Sequence, residues 1–454
     1  MLAHHDRPLP TPPLRIGRRS QLEAFLVLRR NPLELWGPEA YEQAILPGRF
    51  LGRGQILLND PDAIRHVLLG NHDNYQRSAP TRRVLRPILG QGLFLAEGEA
   101  WRHQRRAIAP SLAPRVMPIL TRHILRVTNA ALVELEARRG RPLNLLGALQ
   151  RLTLDVAGQS MFSLEMGRFG ADMRALMLRY ALNYAKVGVL DLMLPPDVAS
   201  PLDRGRAAFR EDWLALIDRI IVARDANARS GDEPRDLLDL LRDARDPQTN
   251  EGFNHAQLRD EVSTLILAGH ETTAVSLFWA ATIAAMRPRM QERIAEEAQS
   301  VDLAAEGAVG KLRFTRAFLD ETLRLYPPAY LIVREAQGPD EIAGHKIAPG
   351  TIVSISPWVL HRHHAHWHQP ERFDPERFMS GAPPPDRMVY IPFGAGPRVC
   401  VGAQFALNEG VLVLASLLRR FKLDLIGTTQ VRPRGLITTQ PDRPVPFLLT
   451  SRMQ

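Results

Sequence analysis

The chain of 454 residues has a single cysteine, Cys400. One thiol can form neither an intramolecular disulfide nor a zinc site built from several cysteines. It can still serve as a buried apolar side chain, as a nucleophile or as a single ligand of a metal ion. The surroundings of Cys400 therefore decide what the residue does.

The sequence also lacks long apolar runs and basic tails. No apolar run approaches the roughly 20 residues of a membrane-spanning helix. Histidines and prolines occur in residues 1–13, where a signal peptide would carry an apolar core. The net charge of +9 comes almost entirely from arginines spread along the chain. This spread argues against nucleic-acid binding and leaves open a basic patch for an acidic partner protein. We expect a cytoplasmic protein without a membrane anchor.

Linkers, internal repeats and blocks of like charge are missing as well. Length alone would suggest two or three domains, but nothing in the sequence marks a boundary between them. An apolar content of 45% is ordinary for a globular protein. We expect one domain over residues 1–454, with residues 1–15 as a flexible N-terminal arm.

Cys400 lies in the segment FGAGPRVCVG, residues 393–402. The glycines and the proline predict an irregular loop, and an apolar helix is predicted to begin near Ala403. Free amide groups at the start of a helix favour a thiolate over a thiol. This environment suits a thiolate ligand of haem iron better than a buried cysteine side chain.

The spacing Phe-x-x-Gly-x-Arg-x-Cys-x-Gly resembles the haem-binding signature of the cytochrome P-450 family. The resemblance implies a mainly α fold with a minor β region, and haem b as the cofactor. Cys400 is then the axial ligand of the iron. Phe393 is expected to pack beneath the ring, Gly402 to let the backbone approach it, and Arg398 to reach an acidic haem edge.

The longest predicted helix runs from Asn254 to Met286, and Asn254 with Gln257 can cap its start. Its middle reads Ala-Gly-His-Glu-Thr-Thr, residues 268–273. A purely structural helix gains nothing from a glycine, which costs up to about 1 kcal/mol relative to alanine, or from a buried glutamate. From the residues alone, a kinked core helix with a solvated glutamate stays an alternative.

The same six residues match the oxygen-activation motif of the cytochrome P-450 family. The resemblance implies that Ala268 and Gly269 leave space above the haem. Thr272 is expected to hydrogen-bond its own backbone, which widens one helical turn. Thr272 and Glu271 are expected to deliver protons.

Two further patterns resemble contacts of the family with the haem propionates. Trp101 and Arg105 are four residues apart and therefore share one helix face, where they can bind one anion. The alternative is a surface helix with a packed tryptophan. Arg334 ends a predicted strand over residues 330–334 and is expected to point to the other propionate.

Glu321 and Arg324 lie three residues apart on another predicted helix. A solvated pair of this kind contributes only a few tenths of a kcal/mol. The family resemblance implies more, namely a buried Glu–Arg–Arg network that Arg377 completes. We expect a structural role for this triad.

The substrate pocket is expected to be apolar. The residues predicted to line it are Leu93, Phe94, Leu331, Ile332 and Val333. Leu93 and Phe94 belong to residues 75–98, which we interpret as one long functional loop. By resemblance to the family, residues 176–198 form a lid over the substrate entrance, and an ordinary helix–loop–helix is the alternative.

Five histidines lie between His361 and His368. Alternating imidazoles can share a face and bind zinc. No cysteine or carboxylate ligand is arranged with them, so we expect a surface cluster with adventitious metal affinity.

Together these features predict a haem-thiolate monooxygenase. It is expected to insert one atom of O₂ into a C–H bond of an apolar small molecule, which can be a fatty acid, a terpenoid, a steroid or an aromatic compound. Two alternatives are a peroxygenase driven by hydrogen peroxide, against which the Glu271-Thr272 pair argues, and a haem-binding sensor or carrier.

Electrons are expected from a ferredoxin or flavodoxin with its NAD(P)H reductase. Arg102 and Arg106 are four residues apart, on the stripe next to the predicted haem face of their helix. They are therefore expected to be exposed and to form a docking patch for an acidic partner. Ordinary solvated arginines are an equal alternative.

Overall fold

Helices dominate the chain, and a small sheet lies to one side of them. The computed structural model describes residues 8–14, 16–17, 19–185, 187–194, 198–226, 234–427 and 431–452. This architecture confirms the predicted fold class, mainly α with a minor β region. The α-helices are α1 (Gln21–Arg30), α2 (Pro61–Arg65), α3 (Ala79–Leu89), α4 (Gly98–Ile108), α5 (Met117–Glu136), α6 (Leu145–Phe162), α7 (Gly167–Asn183), α8 (Val189–Met193), α9 (Asp203–Asp225), α10 (Leu237–Asp243), α11 (His255–Met286), α12 (Pro288–Gln299), α13 (Ala308–Lys311), α14 (Arg313–Leu325), α15 (Pro357–Leu360) and α16 (Ala403–Arg420).

The strands are short and most of them pair antiparallel. They are β1 (Ile45–Phe50), β2 (Arg53–Leu58), β3 (Tyr75–Gln76), β4 (Leu143–Asn144), β5 (Ile332–Ala336), β6 (Asp340–Ile342), β7 (His345–Ile347), β8 (Ile352–Ile355), β9 (Phe421–Leu425), β10 (Pro433–Gly435), β11 (Thr439–Pro441) and β12 (Pro446–Ser451). The largest sheet has the order β1-β2-β8-β5-β3, in which only β2 and β8 run parallel. Strand β5 pairs with β8 so that Ile332 lies opposite Ile355.

Helix α11 runs through the middle of the molecule. The predicted capping pair is confirmed: Asn254 and Gln257 exchange two backbone-to-side-chain hydrogen bonds of 2.9 Å. From Thr273 to Ala284 every residue is buried, because α6, α14 and α16 pack around this half of the helix. A helix buried on all sides needs apolar residues on all sides. The polar residues just before this stretch therefore stand out as a break in the core.

Two large apolar clusters hold the helices together, and a third lies beneath the sheet. The first joins the second half of α11 to α5, α6, α14 and α16. The second joins the first half of α11 to α4, α6, α7 and α9. The polar middle of α11 thus lies where the two large clusters meet.

The prediction of one long loop over residues 75–98 is wrong, because α3 occupies its centre. Pro80 is in the first turn of the helix, where a missing amide costs nothing. Val84, Ile88 and Leu89 follow at helical spacing and are buried. Buried helical periodicity outweighed the turn-forming residues, although Pro87 lies inside the helix.

Two predicted features fall partly on residues outside the described ranges. In the expected N-terminal arm, residues 8–14 are described and have no regular structure, while residues 1–7 and 15 are not described. In the expected lid, residue 186 and residues 195–197 are not described, and α7 and α8 account for most of the rest. Within the described ranges, no helix combines the length and apolarity that crossing a bilayer requires.

Candidate active site

A cavity of about 950 Å³ separates the middle of α11 from the Cys400 loop. This volume is at the upper end of the range for small-molecule and cofactor sites. Every residue predicted to bind cofactor or substrate lines it, and so does Thr272. They are Leu93, Phe94, Trp101, Arg105, Ala268, Gly269, Thr272, Leu331, Ile332, Val333, Arg334, Phe393, Arg398, Cys400 and Gly402.

The Cys400 loop closes on itself before α16 begins at Ala403, as predicted. The Cys400 amide donates to the Phe393 carbonyl at 2.9 Å, which holds the two ends of the loop together. Gly396 has φ +71°, and a Cβ there would come within 2.0 Å of the Leu68 carbonyl oxygen. Only glycine meets both conditions. The loop therefore presents the Cys400 side chain to the cavity in a fixed position.

The start of α16 acts on the Cys400 sulfur in the expected direction, toward the thiolate, but burial opposes it. Burial raises the pKa of the thiol above its usual value, although the Gly402 amide and the Arg105 guanidinium both act to lower it. The start of a helix is thus too weak to offset the loss of solvent around the sulfur. A metal ion bound to the sulfur would favour the thiolate directly.

Arginines crowd one rim of the cavity. Arg398 stacks over the Trp101 ring at 4.5 Å and donates to the Ala96 carbonyl at 2.9 Å. Burial and the positive charge of Arg398 together lower the pKa of Arg334 to about 10. Arg105 donates to the Val399 carbonyl at 2.9 Å, so the structure brings Trp101, Arg105, Arg334 and Arg398 together as predicted.

A fourth arginine, Arg77, belongs to the same rim and was missed in the sequence. Burial, with Arg334 and Arg398 nearby, lowers its pKa to about 9. Glu97 is the acid that pairs with both Arg77 and Arg398. One carboxylate cannot neutralise this many cations, so the rim favours the binding of a further anion. Arg77 carries no sequence signal because no motif surrounds it.

The part of α11 that lines the cavity combines a residue without a side chain, Gly269, with a polar one, Thr272. A Cβ on Gly269 would meet nothing within 4 Å, so this glycine leaves open space in the cavity. The Thr272 hydroxyl donates to the Ala268 carbonyl at 2.5 Å, as predicted. This bond uses the hydroxyl hydrogen and leaves the oxygen free to accept a second hydrogen bond.

Glu271 lies beside the cavity and not in its lining. Its carboxylate accepts from the Gln440 side-chain amide at 2.5 Å and from the Gln150 amide at 3.4 Å. Burial raises the pKa of Glu271 to about 7, while the two amides act to lower it. A carboxyl group that is half protonated near neutral pH can both give and take a proton. Neither glutamine carries a recognisable sequence signal.

The remaining wall of the cavity is apolar. Leu331, Ile332 and Val333 come from the start of β5, and Leu93 and Phe94 from the segment between α3 and α4. Phe94 is 43% exposed, and Arg77 stacks on its ring at 4.7 Å. The predicted pocket residues therefore lie together, although they come from segments more than 200 positions apart in the sequence.

The predicted triad lies apart from the cavity and is buried. Glu321 and Arg324 are fully buried and joined by two hydrogen bonds of 2.7 and 2.8 Å. The Arg377 guanidinium is 3.6 Å from Glu321. Arg324 also donates to three backbone carbonyls, those of His361, Pro370 and Arg372. This network ties α14 to the segment that precedes the Cys400 loop.

The expected surface histidine cluster is wrong for three of its five members. His361 donates to the Arg324 carbonyl and accepts from the Ile391 amide, and burial lowers its pKa to about 3. His363 and His366 contact backbone carbonyls in the same way. Among the described residues, no group of histidine, cysteine and acidic side chains could hold a metal ion. These imidazoles tie loops together.

The expected exposed pair, Arg102 and Arg106, is instead engaged with acids. Arg102 binds Asp73 and Glu99 at the surface. Arg106 forms two hydrogen bonds with the buried carboxylate of Asp246. Both side chains are about one-third exposed or less. Arg106 therefore has a structural partner, and only Arg102 keeps the character of a surface arginine.

Comparison with known proteins identifies the family. A model of the family described as "Cytochrome P450" matches residues 43–443. The chain is a cytochrome P-450. It is 30% identical to cyclooctat-9-en-7-ol 5-monooxygenase from Streptomyces melanosporofaciens over 89% of the chain and 88% of that protein. The crystal structure of the cytochrome P450DA haem domain superposes with a TM-score of 0.80 at 25% identity and covers 98% of both chains.

A plant relative is similar to this chain over only part of its own length. The cytochrome P-450 is 29% identical to the chloroplastic protein LUTEIN DEFICIENT 5 from Arabidopsis thaliana over 82% of its own length, and spans 65% of that relative. Family membership makes the protein a haem-thiolate monooxygenase that needs O₂, an organic substrate and an electron donor. Family membership fixes neither the substrate nor the electron donor.

The cavity of this cytochrome P-450 fits haem b. Cys400 would bind the iron, and the arginine rim would bind the two propionates. Gly269 leaves open space in the same cavity, which the ring would need. When bound, haem supplies the iron that activates O₂. All protein groups that this chemistry requires are therefore present around one cavity.

Proposed function

We propose that the enzyme inserts one oxygen atom from O₂ into a C–H bond of an apolar small molecule. One observation carries this proposal: the acid–alcohol pair Glu271 and Thr272 belongs to the polar break in the apolar helix α11, with Thr272 in the lining of the cavity that Cys400 also lines and Glu271 directly beside that lining. A protein that only carried haem would gain nothing from a buried carboxyl group there.

Thr272 and Glu271 have separate tasks in this proposal. The Thr272 hydroxyl donates to the Ala268 carbonyl and accepts a hydrogen bond from a water in the cavity, so that this water is oriented to pass a proton to the reacting oxygen. The Glu271 carboxyl releases the proton that this water passes on. Its pKa of about 7 means that it can recover this proton near neutral pH.

The substrate is proposed to bind against the apolar wall formed by Leu93, Phe94 and residues 331–333. This wall excludes water and holds the guest by burial of apolar surface. Leu192 of α8 and Ala181 of α7 also line the cavity. Their position supports the proposal that residues 176–198 cover the substrate entrance.

A ferredoxin or flavodoxin with its NAD(P)H reductase is proposed as the electron donor. An acidic partner fits the net charge of +9. Arg102 is the proposed docking arginine, since Arg106 is bound to Asp246. We further propose that residues 1–454 act as one domain and that the triad of Glu321, Arg324 and Arg377 has a structural role.

A spectral binding screen tests this function. Apolar candidates, grouped as fatty acids, terpenoids, steroids and aromatic compounds, are titrated into the purified haem-loaded enzyme while the Soret band is recorded. A compound that shifts the band is then supplied with O₂ and a reconstituted electron donor, and the product is identified by mass spectrometry. Incorporation of one labelled atom from ¹⁸O₂ supports the proposal.

Three other outcomes of this screen contradict it. A product formed with hydrogen peroxide but not with O₂ and electrons would make the enzyme a peroxygenase. Ligand-induced shifts without any product would make it a sensor or carrier. A preference for polar or charged compounds across the screen would contradict the proposed role of the apolar wall.

A further inference from the structure

His270 is a buried histidine that the proposed function leaves unused. It is only 2% exposed and lies on α11 directly before Glu271. Neither ring nitrogen has a hydrogen-bond partner among the described residues. A buried polar atom without a partner costs free energy and is rare in folded proteins. A leucine in this position would cost less free energy to bury, so a histidine is expected here only if its imidazole has a function.

The imidazole is close to the carboxyl group of the proposed acid. Its Nδ1 is 4.0 Å from the Glu271 Oε2 atom. One bridging water or a small rotation of either side chain closes a gap of this size. The two side chains therefore form a pair between which a proton can move.

The backbone around His270 is fixed by α6. The Thr153 hydroxyl donates to the His270 carbonyl at 3.0 Å, and Gln150, one turn earlier on α6, donates to Glu271. The Gln150 carbonyl lies close enough to favour a protonated imidazole, but it does not meet hydrogen-bond geometry. Helix α6 thus holds His270 and Glu271 in register with each other.

A charged group at the surface of α7 is within electrostatic range of His270. Arg174 of α7 is exposed, and its charge acts on the pKa of both His270 and Asp155, a partly exposed residue of α6. His270 is not among the residues that line the cavity. The solvent-exposed surface formed by α6 and α7 is therefore a possible source of protons for His270.

We propose that His270 supplies the protons that Glu271 passes to the water oriented by Thr272, taking them from solvent on the α6–α7 side of the molecule. In each transfer the neutral imidazole binds a proton from water at one ring nitrogen. The imidazolium then releases an N–H proton to the Glu271 carboxylate. His270 returns to the neutral form, and no electron moves.

The order of acidities fits this direction of transfer. Burial lowers the pKa of His270 to about 4, and burial raises that of Glu271 to about 7. A proton on the imidazole therefore moves downhill to the carboxylate. At pH 7 the imidazole is neutral between transfers, and it carries a positive charge only during the transfer of a proton.

This inference rests on the proposed role of Glu271, and its test separates the two. The variant His270→Gln keeps a polar side chain of similar reach but cannot carry a proton. Thr282→Val is the matched control, since Thr282 is a fully buried polar residue three turns further along α11. Glu271→Gln identifies the infrared band of the protonated Glu271 carboxyl group by its loss.

The first measurement is the rate at which that carboxyl band shifts when the protein is transferred to D₂O at pH 6. We expect His270→Gln to slow this exchange at least about tenfold, because a positioned acid or base commonly contributes a factor of 100 or more. The second measurement is the fraction of electrons released as hydrogen peroxide. We expect it to rise in His270→Gln and to stay at the wild-type level in Thr282→Val.

Wild-type exchange and wild-type peroxide release in His270→Gln would overturn the relay, provided that Glu271→Gln changes the peroxide release. If Glu271→Gln itself leaves peroxide release unchanged, the proposed function fails and not the relay alone. If His270→Gln does not fold with haem, a high-resolution crystal structure of the wild type decides. A ring nitrogen joined to Glu271 directly or by one water supports the proposal, and fixed partners elsewhere for both nitrogens contradict it.

Discussion

The Gln440 side chain donates a hydrogen bond of 2.5 Å to the Glu271 carboxylate, across 169 positions of sequence. Gln440 comes from β11, near the end of the chain, and Gln150 of α6 binds the other carboxylate oxygen. Because both partners are neutral amides, they hold the Glu271 carboxyl group in place without forcing it to be ionised. An arginine in either position would have kept Glu271 ionised and unable to act as a proton donor near pH 7.

The variant Glu271→Gln should be more stable than the wild type, but only at high pH. Burial raises the pKa of Glu271 from 4.5 to about 7. Both folded and unfolded forms are protonated below pH 4, so Glu271 costs nothing there. Between about pH 4.5 and 7 the unfolded state loses its proton first, and above pH 7 the cost reaches about 3 kcal/mol. Chemical denaturation of both proteins at pH 4 and pH 8 measures it, and equal differences at the two pH values contradict it.

The variant Cys400→Ser should lose the red-shifted Soret absorption of the reduced carbon-monoxide adduct. A neutral hydroxyl donates far less electron density to iron than a thiolate does. The measurement is a carbon-monoxide difference spectrum on protein that still binds haem. A thiolate-type band retained in the variant would show that another residue is the ligand.

The variant Thr272→Ala should waste electrons as hydrogen peroxide while binding haem normally. The role of the hydroxyl is to orient a water that passes a proton, not to hold the cofactor, so product formed per NAD(P)H consumed should fall by about tenfold or more. Ser276→Ala is a suitable control, because Ser276 makes the same bond to its own helix one turn later. Unchanged coupling in Thr272→Ala would exclude the proposed role.

The variant Arg324→Ala should destabilise the fold by about 3–5 kcal/mol, since the buried Glu321 carboxylate loses both hydrogen bonds from Arg324 and keeps only the more distant Arg377 as a cation. The comparison is Arg139→Ala, in which a surface arginine that is 63% exposed loses its pair with Glu136. That change should cost less than about 1 kcal/mol. Urea denaturation measures the free energy of unfolding of both variants. Similar losses of stability in the two would mean that the triad contributes no more than a surface ion pair.

The variant Arg102→Glu should slow reduction of the haem by a ferredoxin or flavodoxin, most strongly at low salt. Charges at the rim of a docking site act mainly on the rate of association, and salt screens them. Substrate affinity, followed by the Soret shift, should not change. Stopped-flow reduction rates across a salt titration test this, and rates equal to wild type at every salt concentration would place the docking site elsewhere.

Arg106→Glu is unsuited to the same test, and the reason is structural. Its partner Asp246 is fully buried and also contacts His103. A second carboxylate at position 106 would repel Asp246 inside the fold. Loss of stability would then slow reduction for reasons unrelated to docking.

The family, the fold class and the local motifs could be predicted from the amino-acid sequence alone. Cys400, the glycines of its loop and the polar break at residues 268–273 are close together in sequence, and each needs only its neighbours to be recognised. The capping pair of α11 was predictable for the same reason, because a cap depends on residues three positions apart. Helix α3 was missed, since turn-forming residues concealed a helical pattern that burial stabilises.

The groups that act on these motifs come together through tertiary packing and could not be predicted. Gln150, Gln440 and Arg77 reach the site from distant segments, and no local pattern marks them. Burial likewise decided the charges: it raises the pKa values of Cys400 and Glu271 and lowers that of His270. Removal from solvent depends on everything packed around a group, and a sequence lists only the neighbours along the chain. The same packing placed an imidazole with no partner 4.0 Å from the acid it is proposed to serve.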